Sequence, residues 1–168
     1  RDNDLVVGTH GRSIYIVDDI TPLQELTPGV AQGDAHLFSV RPAILWKTDI
    51  QKGVTLAGSK QFRGENPEPG TAISYYLPAD LDDEVQIVIT DMAGDPFREL
   101  EGPGARGIHR VQWDLRGDPQ PMDPDDPDSR TFRPSADAGT YMVKLVVGGG
   151  EMVQSVVVME DRWMNETH

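Results

Sequence analysis

The chain has 168 residues, 38% of them hydrophobic, with 17 glycines, 13 prolines and no cysteine, and a formal net charge of -13. That length allows one domain of ordinary size with an appendage, and the absence of cysteine excludes disulfides and thiolate metal sites. The negative field argues against nucleic acid and anionic membrane as partners, and no run approaches the ~20 apolar residues of a membrane-spanning helix.

Frequent Gly and Pro favour short strands and turns over long helices. The run Leu5-Val6-Val7-Gly8-Thr9-His10-Gly11-Arg12-Ser13-Ile14-Tyr15-Ile16-Val17-Asp18-Asp19 reads as two apolar strands, 4–7 and 13–18, around a Gly-rich turn. A two-stranded hairpin is marginal alone in water, so this stretch is expected to be the remnant of a larger sheet, with Arg1 lying at a cut. Thr21 is expected to cap a short helix with Pro22 at its first position, and residues 28–35 to form a turn. Residues 36–46 carry Leu37, Phe38, Val40, Ile44, Leu45 and Trp46 around Pro42. A proline inside an apolar run points to an edge strand or a bend. Residues 47–70 lack periodicity and read as a long loop.

The second half is more regular. Residues 71–77 form a strand that stops at Pro78, and residues 84–90 alternate with Val85, Ile87 and Ile89 on one face. Asp91-Met92-Ala93-Gly94-Asp95 is a turn with Gly94 available for positive φ. A short strand over 97–100 follows. Residues 107–115 alternate again, with Val111 and Trp113 on one face and Arg110 and Gln112 on the other. Residues 117–138 are a Pro/Asp-rich loop, and strands over 139–147 and 151–159 close a hairpin around Gly148-Gly149-Gly150. The reading is all-β: an antiparallel sandwich of about seven strands over 65–160, a remnant hairpin over 1–26, a bridging segment over 27–64 that adds an edge strand, and a polar tail over 161–168. Trp113, Tyr141, Val111 and Ile87 are its expected core.

Three stretches together carry a resemblance: Ile73-Ser74-Tyr75-Tyr76-Leu77 after Asn66-Pro67; Val85 to Gly94 with Arg98-Glu99-Leu100; and Gly107-Ile108-His109-Arg110-Val111-Gln112-Trp113-Asp114-Leu115-Arg116 with Ala138-Gly139-Thr140-Tyr141. Over about residues 65–159 they resemble the FlgD-type immunoglobulin-like domain that closes many exported bacterial proteins. Residues 3–26 are similar to the end of the last blade in sortilin-like, BNR-repeat β-propellers of the glycosyl-hydrolase type. The resemblance implies an exported bacterial parent, periplasmic, cell-surface or secreted. It supplies no catalysis, because any active site would lie in the other blades.

Candidate sites compete with plainer readings. His10, Arg12, Asp18 and Asp19 suggest sugar hydrolysis, whose paired carboxylates stand about 5–9.5 Å apart. Neighbours on a strand point to opposite faces, which speaks against Asp18 and Asp19 as that pair. Asp123, Asp125, Asp126 and Asp128 gather hard oxygens suited to Ca²⁺, but they lack an EF-hand's Gly and distal Glu, and a solvated Pro-stiffened loop is the alternative. Trp46, Tyr75, Tyr76 and Trp163 are candidates for stacking on a sugar. Tyr75 and Tyr76 put one ring on each face of a strand, so at least one is expected to be exposed. His36, His109 and His168 share no ligand spacing, and Ser13, Ser74 and Ser155 lie in no nucleophile elbow. The expectation is a non-catalytic spacer or docking domain without a cofactor, beside the propeller of its own chain. Carbohydrate binding through exposed aromatics is the alternative, and part of a hydrolase site is a second. An edge-paired dimer is expected of the isolated chain.

Overall fold

The computed structural model describes residues 3–11, 13–47, 68–82, 85–123, 125–126 and 129–162. The chain is mostly β, with two short helices near its start. Strands β1 (Leu5–Gly8) and β2 (Ile14–Val17) form a separate antiparallel ribbon. Helix α1 (Thr21–Glu25) and helix α2 (Pro28–Ala31) follow. Thr21 lies inside α1 rather than capping it. Ile20 is the capping residue, and the Thr21 hydroxyl instead accepts a hydrogen bond from Asn3 Nδ2 at 3.0 Å. The next helix, in the stretch read as a turn, is the one with a side-chain cap: Thr27 Oγ1 accepts from Val30 N–H.

The expected single edge strand over 36–46 is two strands on two sheets. Strand β3 (His36–Leu37) pairs antiparallel with β5 (Thr71–Leu77), and β4 (Ala43–Leu45) pairs parallel with β12 (Gly150–Glu160). Pro42 lies between them, cannot donate to a ladder, and marks the crossing. Strands β6 (Val85–Thr90), β7 (Pro96–Gly102), β8 (Gly107–Trp113) and β11 (Gly139–Val147) complete the two sheets. One sheet has the order β4-β12-β11-β6-β7 and the other β3-β5-β8. The loop expected over 117–138 contains a further small ribbon of β9 (Gln120–Pro121) and β10 (Thr131–Phe132). Residues 48–67, within the long loop expected over 47–70, lie outside the described residues.

Both main sheets contribute to one core. Ile73, Tyr75 and Leu77 from β5 and Trp113 from β8 meet Ile87 and Ile89 from β6, Val143 and Leu145 from β11, and Val156 and Val158 from β12. On β6, β11 and β12 these positions follow the period of two of a half-buried strand, whereas β5 is buried on both faces. Trp113 is wholly buried, with Tyr141 and Phe97 at ring-centroid distances of 5.4 and 6.2 Å and its indole N–H donated to the Arg116 carbonyl. Ile87 and Tyr141 are buried as well, whereas Val111 is half-buried and packs against the cluster from its margin.

Candidate interaction surface

The ribbon's alternation is unusual, because there is no polar face. Cross-strand partners share a face, and the register pairs Leu5 with Val17, Val6 with Ile16, Val7 with Tyr15, and Gly8 with Ile14. One face therefore holds Leu5, Val7, Tyr15 and Val17, and the other Val6, Ile14 and Ile16. All seven side chains are exposed, from 41% at Val7 to 71% at Ile14. A sheet with one wet side alternates apolar and polar residues. Continuous apolar strands are the pattern of sheets covered on both faces.

The ribbon's tip and base are built differently. At the tip, Thr9 N–H donates to Ser13 C=O at 2.9 Å, around a turn containing His10. At the base, polar groups fasten the ribbon to the sheets. Arg110 Nη1 of β8 donates to the Asp18 carbonyl at 2.8 Å, and Arg41 Nη1 reaches Asp4 Oδ1 at 3.0 Å. The same Asp4 oxygen accepts Asp19 N–H at 3.0 Å. The Asp19 backbone bond, with Arg41 beside it, holds the Asp4 carboxyl below its usual range against the opposing effect of desolvation. Asp19 itself takes φ +57° and its carboxylate accepts Thr21 N–H at 3.2 Å.

Two adjoining clefts open beside this base. A polar cleft of 320 Å³ is lined by Asp4, Asp18, Asp19, Arg41, Arg110 and Gln112, among others. A second, of 480 Å³, is lined by Arg41, Pro42, Ile44, Trp46 and Met159. Arg41 and Gly70 belong to both. Gly70 has φ +101°, and a Cβ there would meet the Trp113 carbonyl oxygen at 1.9 Å. Thr71 Oγ1 donates to the Arg41 carbonyl at 2.8 Å, which ties the shared floor to β5.

The sequence-predicted residues separate into groups. Trp46 is 66% exposed, on the rim of the second cleft. Tyr75 and Tyr76 do lie on opposite faces of β5, but both are buried, at 0% and 9% exposure, and neither offers a ring to a ligand. The expectation of an exposed tyrosine fails because the outer face of β5 is covered: Tyr76 O–H donates to the Ala31 carbonyl of α2 at 3.0 Å. Tyr75 O–H donates to the Pro103 carbonyl at 2.7 Å, and burial pushes its ionisation up to about 12.

Asp18 and Asp19 do not point away from each other as strand neighbours would. The strand ends at Val17, and both residues line the polar cleft. His10 lies at the opposite end of the ribbon from them, with β2 between, and Arg12 lies outside the described residues. In the acidic loop, Asp123 Oδ1 accepts Asp125 N–H at 3.0 Å, an Asx turn. Asp128, Trp163 and His168 lie outside the described residues, and among those described no three His, Asp or Glu side chains come together as metal ligands. Arg41 and Asp4 escaped the sequence reading, since nothing local announces a contact across 37 positions. Arg110 and Gln112 were legible in part, because alternation with the buried Trp113 already turns them outward. Comparison with protein-family models, with curated proteins and with solved structures finds no match.

Proposed function

We propose that this chain is a non-catalytic accessory module: an immunoglobulin-like, FlgD-type sandwich beside a β-propeller whose last blade the ribbon completes. The parent would be an exported bacterial protein of the sortilin-like, BNR-repeat type. One observation carries the reading. The ribbon is apolar on both faces and exposed on both, and a propeller blade is a sheet covered on both sides by its neighbours. The strand orders β4-β12-β11-β6-β7 and β3-β5-β8, with β3 and β4 on different sheets on either side of Pro42, support the immunoglobulin-like part. The base clamp supports a spacer role, since Arg41 and Arg110 fix the ribbon's direction relative to the sheets.

The test begins with the gene upstream of the Arg1 codon. The reading expects an open frame running into further blade-like repeats. In the extended protein, ribbon amides such as those of Val6 and Ile16 are expected to exchange with solvent far more slowly than in the 168-residue chain. Equal exchange in both would defeat it. Hydrolysis of glycosides by the 168-residue chain, lost in Asp18→Ala, would overturn the non-catalytic assignment.

A further inference from the structure

The two clefts at the ribbon's base have a chemistry that the accessory role does not use. We infer that they form one binding groove for a pyranose unit of a neutral oligosaccharide. The inference needs the base of the ribbon and not its partner, so it stands or falls separately from the propeller reading.

The first ground is a set of unspent polar groups. Arg110 spends one Nη on the Asp18 carbonyl, and its remaining N–H groups have no partner among the described residues. The Asp18 and Glu68 carboxylates accept no hydrogen bond from the described residues, and both line the polar cleft. Sugar hydroxyls donate and accept at once, and a site offering carboxylate acceptors next to guanidinium donors meets both needs.

The second ground is Trp46. The indole is the most exposed tryptophan surface among the described residues and stands at the rim of the adjoining cleft with Ile44 and Met159. A large amphipathic ring at a pocket edge is suited to a ligand with an apolar C–H face and a polar rim. A pyranose has both.

Shape and charge narrow the ligand. Volumes of 320 and 480 Å³ fall within the ~300–1,000 Å³ of small-molecule pockets. The shared floor is fixed by Gly70 against Trp113 and by the Thr71 bond to the Arg41 carbonyl, so the groove is formed before the ligand arrives. Four carboxylates, Asp4, Asp18, Asp19 and Glu68, face two guanidiniums, Arg41 and Arg110. That excess repels uronic and sulfated sugars and leaves neutral ones favoured.

The intact 168-residue chain would be titrated by calorimetry with neutral β-1,4-linked tetrasaccharides of glucose, xylose, mannose and N-acetylglucosamine, and with a tetra-uronate. Saturable binding of at least one neutral sugar is expected. Trp46→Ala and Arg110→Ala should each weaken it at least about tenfold, or about 1.4 kcal/mol, while Trp46→Tyr retains most of it. Ile14→Lys on the ribbon should leave it unchanged. Both tested side chains are exposed, so circular dichroism should match the parent chain. The inference is overturned if none of the neutral sugars saturates, if Trp46→Ala binds as well as the parent, or if the uronate binds more tightly.

Discussion

Gly70 occupies a backbone position, φ +101°, that side chains rarely adopt, directly against the carbonyl of Trp113. Gly70→Ala must push β5 away from β8 or leave the left-handed region, and should cost on the order of 2 kcal/mol or more. A urea melt checks this, and unchanged stability would show that the turn relaxes freely. Arg133 acts just beyond the same end of β8. Its guanidinium grips Asp114 with a fork of 2.8 and 3.0 Å bonds, and its Nε donates to the Gly117 carbonyl. Burial alone would raise the Asp114 pKa, but the Arg133 bonds and the Arg116 N–H outweigh it and hold the carboxyl below its usual range. Stability from such a group is present above the ordinary carboxylate pKa and is lost as pH falls through the lowered value. Arg133→Ala should therefore cost about 1 kcal/mol at neutral pH, allowing for screening of a pair about a third exposed. The gap from the parent chain should shrink in acid. Tyr75 carries the opposite sign. Its ionisation is raised to about 12 by burial, so its contribution is complete below the ordinary tyrosine pKa of about 10 and is lost as pH rises toward 12. Tyr75→Phe should lose about 1 kcal/mol at pH 8 through the missing bond to Pro103. It should also show a flatter stability profile between pH 10 and 12, read from melts at stepped pH.

At the scale of elements, the period of two decided what was legible. Strands β6, β8 and β11 follow their alternation, whereas β5 is buried along its whole length, and Trp113, Ile87 and Tyr141 lie in the core where alternation puts them. The turn over residues 91–95 was legible in its sequence, and Gly94 takes the positive φ expected of it, +93°, while the Asp91 carboxylate accepts the Ala93 and Asp95 N–H groups. What local pattern could not reveal was tertiary cover. Tyr76 is buried, its hydroxyl bonded to the Ala31 carbonyl of α2, and Pro42 marked a break without saying that the chain resumes on the opposite sheet. The same limit hid the groove, whose walls come from the ribbon, the bridging segment and β8. The ribbon was legible as strands. Its exposure on both faces is a fact of the assembled chain, and it separates the ribbon energetically from the core. Trp113→Ala should cost about 3–5 kcal/mol, as large aromatic deletions from a packed interior do. Ile14→Lys should change the stability of the isolated chain by less than about 0.5 kcal/mol. Chemical denaturation of the two variants measures that contrast directly.

For the molecule as a whole, two opposed forces act on the ribbon when nothing covers it. Seven apolar side chains and two open strand edges favour association with another copy. A net charge of -13 on each chain opposes it. Repulsion between exposed charges reaches about 10 Å at 0.1 M salt and about 3 Å at 1 M, while burial of apolar surface is not weakened by screening. Self-association should therefore rise with protein concentration and rise further with added sodium chloride, the reverse of a dimer held by ion pairs. Ile14 and Ile16 share one face of the ribbon, so the double change Ile14→Lys with Ile16→Lys charges that face alone. If the Val6, Ile14 and Ile16 face is the one that stacks, this variant stays monomeric in light scattering at every salt concentration. If only edges pair, it dimerises much as the parent chain does, and a proline at Tyr15, in the middle of β2, is the change that abolishes the dimer. A parent chain that stays monomeric across millimolar protein and molar salt would mean that the ribbon's apolar faces do not drive association, and the argument for an apolar partner on both sides would lose its physical basis.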